Sequence, residues 1–445
     1  MSDELLAELL RPGALEARLI KGFPGAAQSG VLIALRVADQ TRTVCMGPLE
    51  RAPTGCITKL FTGTLAFRAL SAHGLGPDTH ILSLLDVPRS ARTPALEAIT
   101  VRHLVEHSHG LDDSVSSLVP RLANQRIDVL ALCQRLSVPA LAEPGFGCSY
   151  SDAGGWLLGS LLEQLYDRTY PQILRDELFA PLGIRDFRYE DRASGAVDLC
   201  PALGRALCVS PADMQRFVDY HLTCGEPWSL GQLSASGTAT ALPGWSPLES
   251  GIRLGWKFFG SGWYGHNSVL EPTPALLRVN PAERTTLFLA ATDHSPTAIA
   301  TALFGKALPG IARLQMPKLL RAAEIAALDT DPFAGVYQNA GMRLEVSRAP
   351  DATLELRAYQ RAGDGSETQP FLQSRLRPAR DGIFFTQPAE PRRLPFVQFV
   401  APAGGTCRFL WNGTALWPRV SGTPERSHAA VRHHGTHLRE EWISP

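Results

Sequence analysis

Apolar and polar residues alternate with different periods along the chain, and the changes of period divide it. Residues 1–25 read as a leader helix running into a loop at Gly22-Phe23-Pro24-Gly25. Val31-Leu32-Ile33-Ala34-Leu35-Arg36-Val37 is an apolar, partly β-branched run. A polar turn at Asp39-Gln40 leads to a second short run around Thr43-Val44-Cys45-Met46, and the two predict a hairpin. Lys59 through Leu70 predicts a helix that Thr54 and Gly55 can start and Gly74 can stop. From 75 to 250, helical runs alternate with Pro/Gly breaks: Ile99–His107 with Thr100 as N-cap, Ile127–Leu136, and Trp156–Tyr166. A capped start with proline in its first turn follows at Ser210-Pro211-Ala212-Asp213-Met214.

Strand patterns return after 250: Arg253–Phe259, a turn at Gly260-Ser261-Gly262, then Trp263–Leu270, Ala275–Val279 and Thr285–Thr292, with a helix near Thr297–Leu308. Strands at both ends of 25–310 with helices between predict one sheet completed by distant segments and interrupted by a helical insertion. Residues 316–330 read as a connecting helix. From Phe333 short alternating runs recur at Met342–Ser347, Thr353–Ala358, Ile383–Thr386, Phe396–Val400, Cys407–Trp411 and Thr414–Val420, the pattern of a small antiparallel barrel. The expected division is therefore a first domain over 1–315 with its insertion at about 65–250, a linker at 316–330, a barrel at 331–420 and a flexible tail at 421–445. That tail holds His428, His433, His434 and His437.

Composition narrows the function classes. The 445 residues are 44% hydrophobic and 19% charged, a globular balance, and 43 basic residues cancel 43 acidic ones. That balance argues against a nucleic-acid binder relying on a basic field. No apolar run is long enough for a membrane helix, and the start of the chain lacks the basic and apolar regions of a signal peptide. The eight cysteines are scattered and form no Cys-x-x-Cys pair, so a reduced, cytoplasmic protein is expected.

Candidate chemistry centres on Cys56 and Lys59. A nucleophile followed three residues later by a lysine at a helix start places both on one face, and a helix N-terminus favours a thiol's anion. His103 and His107 share an i,i+4 spacing, but the His-Glu-x-x-His zinc pattern is absent, and no metal or cofactor is expected.

Cys56-Ile57-Thr58-Lys59 resembles the Ser-x-x-Lys motif of the serine β-lactamase and penicillin-binding-protein superfamily, with Cys in place of Ser. Phe146-Gly147-Cys148-Ser149-Tyr150-Ser151-Asp152 resembles its Tyr-x-Asn segment, and Val101–Leu111 its Arg-His-Leu segment. Tyr264-Gly265-His266-Asn267-Ser268 stands where members carry His-x-Gly or Lys-Thr-Gly. The resemblance covers roughly residues 25–310 and points to the subgroup of class C β-lactamases, esterases and D-amino-acid peptidases. It implies an α/β (α+β) fold, an antiparallel sheet flanked by helices with an all-helical insertion, followed by a lipocalin-like β-barrel.

Roles follow from the resemblance. Cys56 is expected to form an acyl-enzyme, with Lys59 and Tyr150 sharing proton transfer. The N–H groups of Cys56 and Val269 would make the oxyanion hole, and Asp152, His266, Asn267 and Ser268 would line the pocket. Three positions depart from the family. Cys56 replaces serine, Asp152 replaces asparagine and is expected to hold Lys59 cationic, and Ser268 replaces glycine and is expected to narrow the substrate groove. Cys56 and Asp152 together suggest an ion-paired thiolate in place of a base-activated alcohol. The leading expectation is a transacylase passing a small acyl group through a Cys56 thioester to an amine or alcohol. The alternatives are a hydrolase (esterase, amidase or D-amino-acid peptidase) and a non-catalytic binding protein on a degenerate fold. Oligomeric state is not legible.

Overall fold

The structure, a computed structural model, describes residues 2–112, 126, 128–136, 140–189, 202, 207–235, 251–311, 318–349, 353–361, 366–367, 369–387, 396–403, 406–412 and 415–420. Its first part is built on a seven-stranded antiparallel sheet in the order Gln40–Met46, Val31–Val37, Thr285–Ala291, Ala275–Asn280, Tyr264–Ser268, Trp256–Phe258, Gly251–Arg253. Val31–Val37 lies beside Thr285–Ala291, with Ala34 opposite Phe288, so the sheet is completed by segments some 250 residues apart. The expected hairpin is present, with its second strand starting at Gln40.

Strand alternation gives the sheet two apolar faces. Leu32, Ala34, Leu277, Val279 and Phe288 pack on the helical insertion. Val31, Ile33, Leu35, Leu276, Leu287 and Leu289 pack under the terminal helices, including Ala14–Gly22 and Pro296–Phe304. The centre of the first core is the helix Thr58–Ala72, buried on every side through Phe67. A helix apolar all round belongs in a core rather than on a surface. Its threonines fit because Thr62 and Thr64 donate back to the carbonyls of Thr58 and Leu60.

Several expectations need correction. The single leader helix is two, Ser2–Leu9 and Ala14–Gly22, separated at Gly13, which has φ +79°. The expected strand Arg253–Phe259 is a tight hairpin, because Leu254 and Gly255 both take left-handed conformations. The expected connecting helix shrinks to Ala322–Ala326 among the described residues. The second part is a closed eight-stranded barrel: Gly335–Gln338, Met342–Arg348, Leu354–Gln360, Leu372–Pro378, Ile383–Gln387, Phe396–Ala403, Thr406–Trp411 and Leu416–Val420. The first and fourth of these escaped the sequence pattern. The histidine-bearing tail lies outside the described residues. No helix among the described residues is long and apolar enough to cross a membrane.

Candidate active site

Gly55–Ile57 make one 3₁₀ turn that runs into the helix Thr58–Ala72. Side chains three apart eclipse in such a turn, so Cys56 and Lys59 project from one side. Gly55 is required twice over. Its φ is +43°, and a Cβ there would sit 2.1 Å from Ser268 Oγ. Cys56 is half-buried, and Lys59 is only 9% exposed.

The segment carrying Tyr150 and Asp152 is laced to residues 107–110. Leu141, Gly145 and Ser149 donate their N–H groups to the carbonyls of Gly110, Ser108 and His107. His107 takes a left-handed φ of 54°, and its Nδ1 accepts the Ser151 N–H at 3.2 Å. Ser151 caps the helix Asp152–Tyr166 by accepting from the Ala153 N–H. Asp152 is thereby the first helical residue, where a carboxylate meets the positive end of the helix dipole. Lys59 Nζ donates to Asp152 Oδ1 at 2.9 Å. The Tyr150 ring packs against His107 at a tilt of 38° with centroids 4.3 Å apart. The ammonium groups of Lys59 and Lys257 lie 4.8 Å and 5.1 Å from its centroid.

Electrostatics separate these groups into clear protonation states. Burial is the largest influence on Lys59 and opposes its charge, yet Asp152, Tyr150 and Cys56 together outweigh it, and its pKa stands well above the ordinary value. Lys59 is an ammonium. Burial, reinforced by Cys56, pushes the Tyr150 phenol well above its usual range despite Lys59, so it stays neutral. Its hydroxyl is buried beside the Lys59 ammonium and the Cys56 sulfur. His266 is held well below its ordinary pKa by burial and by the Lys257 charge. Its Nδ1 donates to the Asn267 carbonyl at 2.7 Å, which a carbonyl can only accept. The neutral ring therefore offers Nε2 as a lone pair, and that nitrogen is buried without a partner.

His266 lies opposite Leu277 and Ser268 opposite Ala275, both facing the helical insertion. Ser268 does not project into an open groove, as was expected. It is buried against Gly55, and its Oγ accepts the Leu270 N–H at 3.4 Å. Asn267 points to the other side of the strand, opposite Leu276, and reaches the cluster only through its carbonyl. Val269 follows the strand end with 46% of its surface exposed. Trp256–Phe258 pairs with this strand at Tyr264 and Gly265 alone.

The structure thus gathers Cys56, Lys59, Tyr150, Asp152 and His266, with Ser268 packed beneath. Two neighbours were not foreseen in these roles. His107 was weighed as a zinc ligand, but its Nδ1 holds the Ser151 N–H, while His103 Nδ1 accepts the Thr100 N–H in a helix cap. The helix Val101–Val105 ends before His107, so the i,i+4 pair is not formed. Lys257 gave no signal beyond its strand's nearness to His266, since it lies opposite Gly265.

Comparison with known proteins agrees with this geometry. The sequence model of the Beta-lactamase family matches residues 11–308. Penicillin-binding protein 4 of Amycolatopsis lactamdurans is 28% identical over 382 residues, which is 76% of this chain and 96% of that protein. Among solved structures, SurE with D-Leu superposes with a TM-score of 0.68 at 23% identity, covering 94% of this chain and 99% of SurE. The octameric penicillin-binding protein homologue from Pyrococcus abyssi follows with a TM-score of 0.56 at 17% identity, covering 91% and 99%. At those identities the two structures speak for the fold, barrel included. The family match spans the sheet, the helical insertion and every residue of the Cys56 cluster, and on it the chain belongs to the Beta-lactamase family.

Proposed function

We propose that the chain is an acyltransferase that carries its acyl group as a thioester on Cys56. The observation that carries this reading is the 2.9 Å ion pair between Lys59 and Asp152 beside the sulfur. A lysine held as an ammonium cannot take a proton from an alcohol, but it stabilises a thiolate. The Cys56 thiol releases its proton to solvent, and the sulfur adds to the donor carbonyl. The N–H groups of Cys56 and Val269 receive the oxyanion, and the neutral Tyr150 hydroxyl donates toward the departing group. The C–X bond breaks, the leaving group departs with the Tyr150 proton, and the acyl–sulfur bond remains beside a Tyr150 phenolate. An amine then attacks the thioester, its surplus proton restores the Tyr150 hydroxyl, and the C–S bond breaks to release Cys56 as the thiolate with which the cycle began. Thioesters yield to amines readily, which favours transfer over hydrolysis.

The superposed SurE structure contains D-Leu. A D-configured aliphatic aminoacyl group is therefore the donor proposed here, with a small amine as acceptor. Turnover of the N-acetylcysteamine thioester of N-acetyl-D-leucine, with and without a primary amine, tests the reading. The expected result is amide product and a thiol-release rate that rises with amine concentration. Release independent of amine, with free acid as the sole product, would make the protein a hydrolase.

A further inference from the structure

We propose that the C-terminal barrel is a positioning element of the Cys56 site, with Phe409 and the Leu416 amide setting the loop that delivers Tyr150. This rests on the acyl-transfer reading above. The loop 140–149 is held from two sides. On one, its backbone is laced to residues 107–110. On the other it meets the barrel wall.

Phe146 lies against Phe409 with ring centroids 4.7 Å apart, and the Arg408 guanidinium sits 5.7 Å from the Phe146 ring. Ala142 and Phe146 pack against the barrel cluster that includes Ile383, Phe396 and Leu416. The buried Ser149 Oγ accepts the Leu416 N–H at 3.2 Å. A third tie joins Asp112 Oδ2 to the Ala340 N–H at 2.7 Å.

Ser149 is the residue before Tyr150, and its own N–H donates to the His107 carbonyl at 2.8 Å. The barrel therefore ends one peptide away from the phenol. Tyr150 Oη is buried and faces the Lys59 ammonium and the Cys56 sulfur. Its ring is held by tilted packing on His107 and by the Lys59 ammonium, and the backbone on which it is strung aims the hydroxyl at the sulfur. Displacing the loop would misplace the hydroxyl without touching substrate-binding groups, and misplacement of about 1 Å can cost up to a hundredfold in rate.

A double-mutant cycle in the full-length chain tests this, with thiol release from the N-acetylcysteamine thioester of N-acetyl-D-leucine as the readout. Phe409→Ala is expected to lower kcat about tenfold with KM changed less than about twofold. In the Tyr150→Phe background the same substitution is expected to cost less than about twofold, because the group it positions is gone. Equal factors in both backgrounds, or no loss from Phe409→Ala alone, would overturn the inference. Should Phe409→Ala fail to fold by circular dichroism, Phe409→Leu keeps the wall apolar, removes the ring contact and is read by the same criteria. Tyr150→Phe without effect on kcat would overturn both the reading of the site and this inference. Equal factors would overturn the inference alone.

Discussion

On the acyl-transfer reading proposed above, Asp152 sets the chemistry open to Cys56. The superfamily position it occupies ordinarily carries asparagine, which would leave a buried lysine free to lose its proton. A carboxylate 2.9 Å away keeps Lys59 charged against the pull of burial. Serine and asparagine, or cysteine and aspartate, are then matched pairs, and the mixed pairs are mismatched. Cys56→Ser alone is expected to lower kcat with the thioester donor by about a hundredfold or more. Cys56→Ser combined with Asp152→Asn is expected to recover about tenfold of that loss, since Lys59 regains a neutral form able to act as base. Steady-state kinetics of the parent and these two variants decide it, and a double variant no faster than Cys56→Ser would separate the carboxylate from the thiol's chemistry. Cys56, Lys59, Tyr150 and Asp152 were legible because each sits in a short motif with fixed offsets. His107 was not legible as the packing partner of Tyr150, because its role depends on a left-handed turn that ends the helix two residues early.

At the scale of elements, the 3₁₀ turn that presents Cys56 fits against its neighbouring strand only because residue 55 has no side chain. Gly55→Ala would place a methyl 2.1 Å from Ser268 Oγ and force a left-handed φ of +43° on alanine. Both effects destabilise, together by more than about 2 kcal/mol. Adding Ser268→Gly is expected to restore part of that stability by removing the clash, while the φ cost of about 1 kcal/mol remains. Urea denaturation of the parent and the two variants reads this out, and a Gly55→Ala protein as stable as the parent would contradict the packing. The long elements were visible in the hydrophobic period, and those that were missed have local reasons. Leu372–Pro378 puts Ser374 at an inward position, where an apolar residue would have revealed the alternation. That serine is buried at no net loss because it both donates to the Gln387 carbonyl and accepts the Gln387 N–H. The sheet formed by Ala52–Pro53, Leu207–Val209 and Phe187–Tyr189 has strands too short to show a period at all.

For the whole molecule, the buried histidines set how stability depends on pH. Burial holds His109 and His221 at about 3, against an ordinary 6.5, and depresses His107 and His266 in the same direction. The folded chain therefore binds fewer protons than the unfolded chain below pH 6.5. Their contribution is complete above about 6.5 and is lost as pH falls toward 3. Each such histidine steepens that loss by up to about 1.4 kcal/mol per pH unit. His221→Gln is expected to flatten the slope of unfolding free energy between pH 6 and pH 4 by about one proton, and an unchanged slope would contradict its neutral burial. The proposed function rests on one chemical event at one sulfur. Intact-protein mass spectrometry after mixing the chain with the N-acetylcysteamine thioester of N-acetyl-D-leucine measures that event directly. The account expects a single N-acetyl-D-leucyl adduct that maps to Cys56, is released by neutral hydroxylamine and is absent from Cys56→Ala. An unmodified chain, or an adduct that persists in Cys56→Ala, would contradict it.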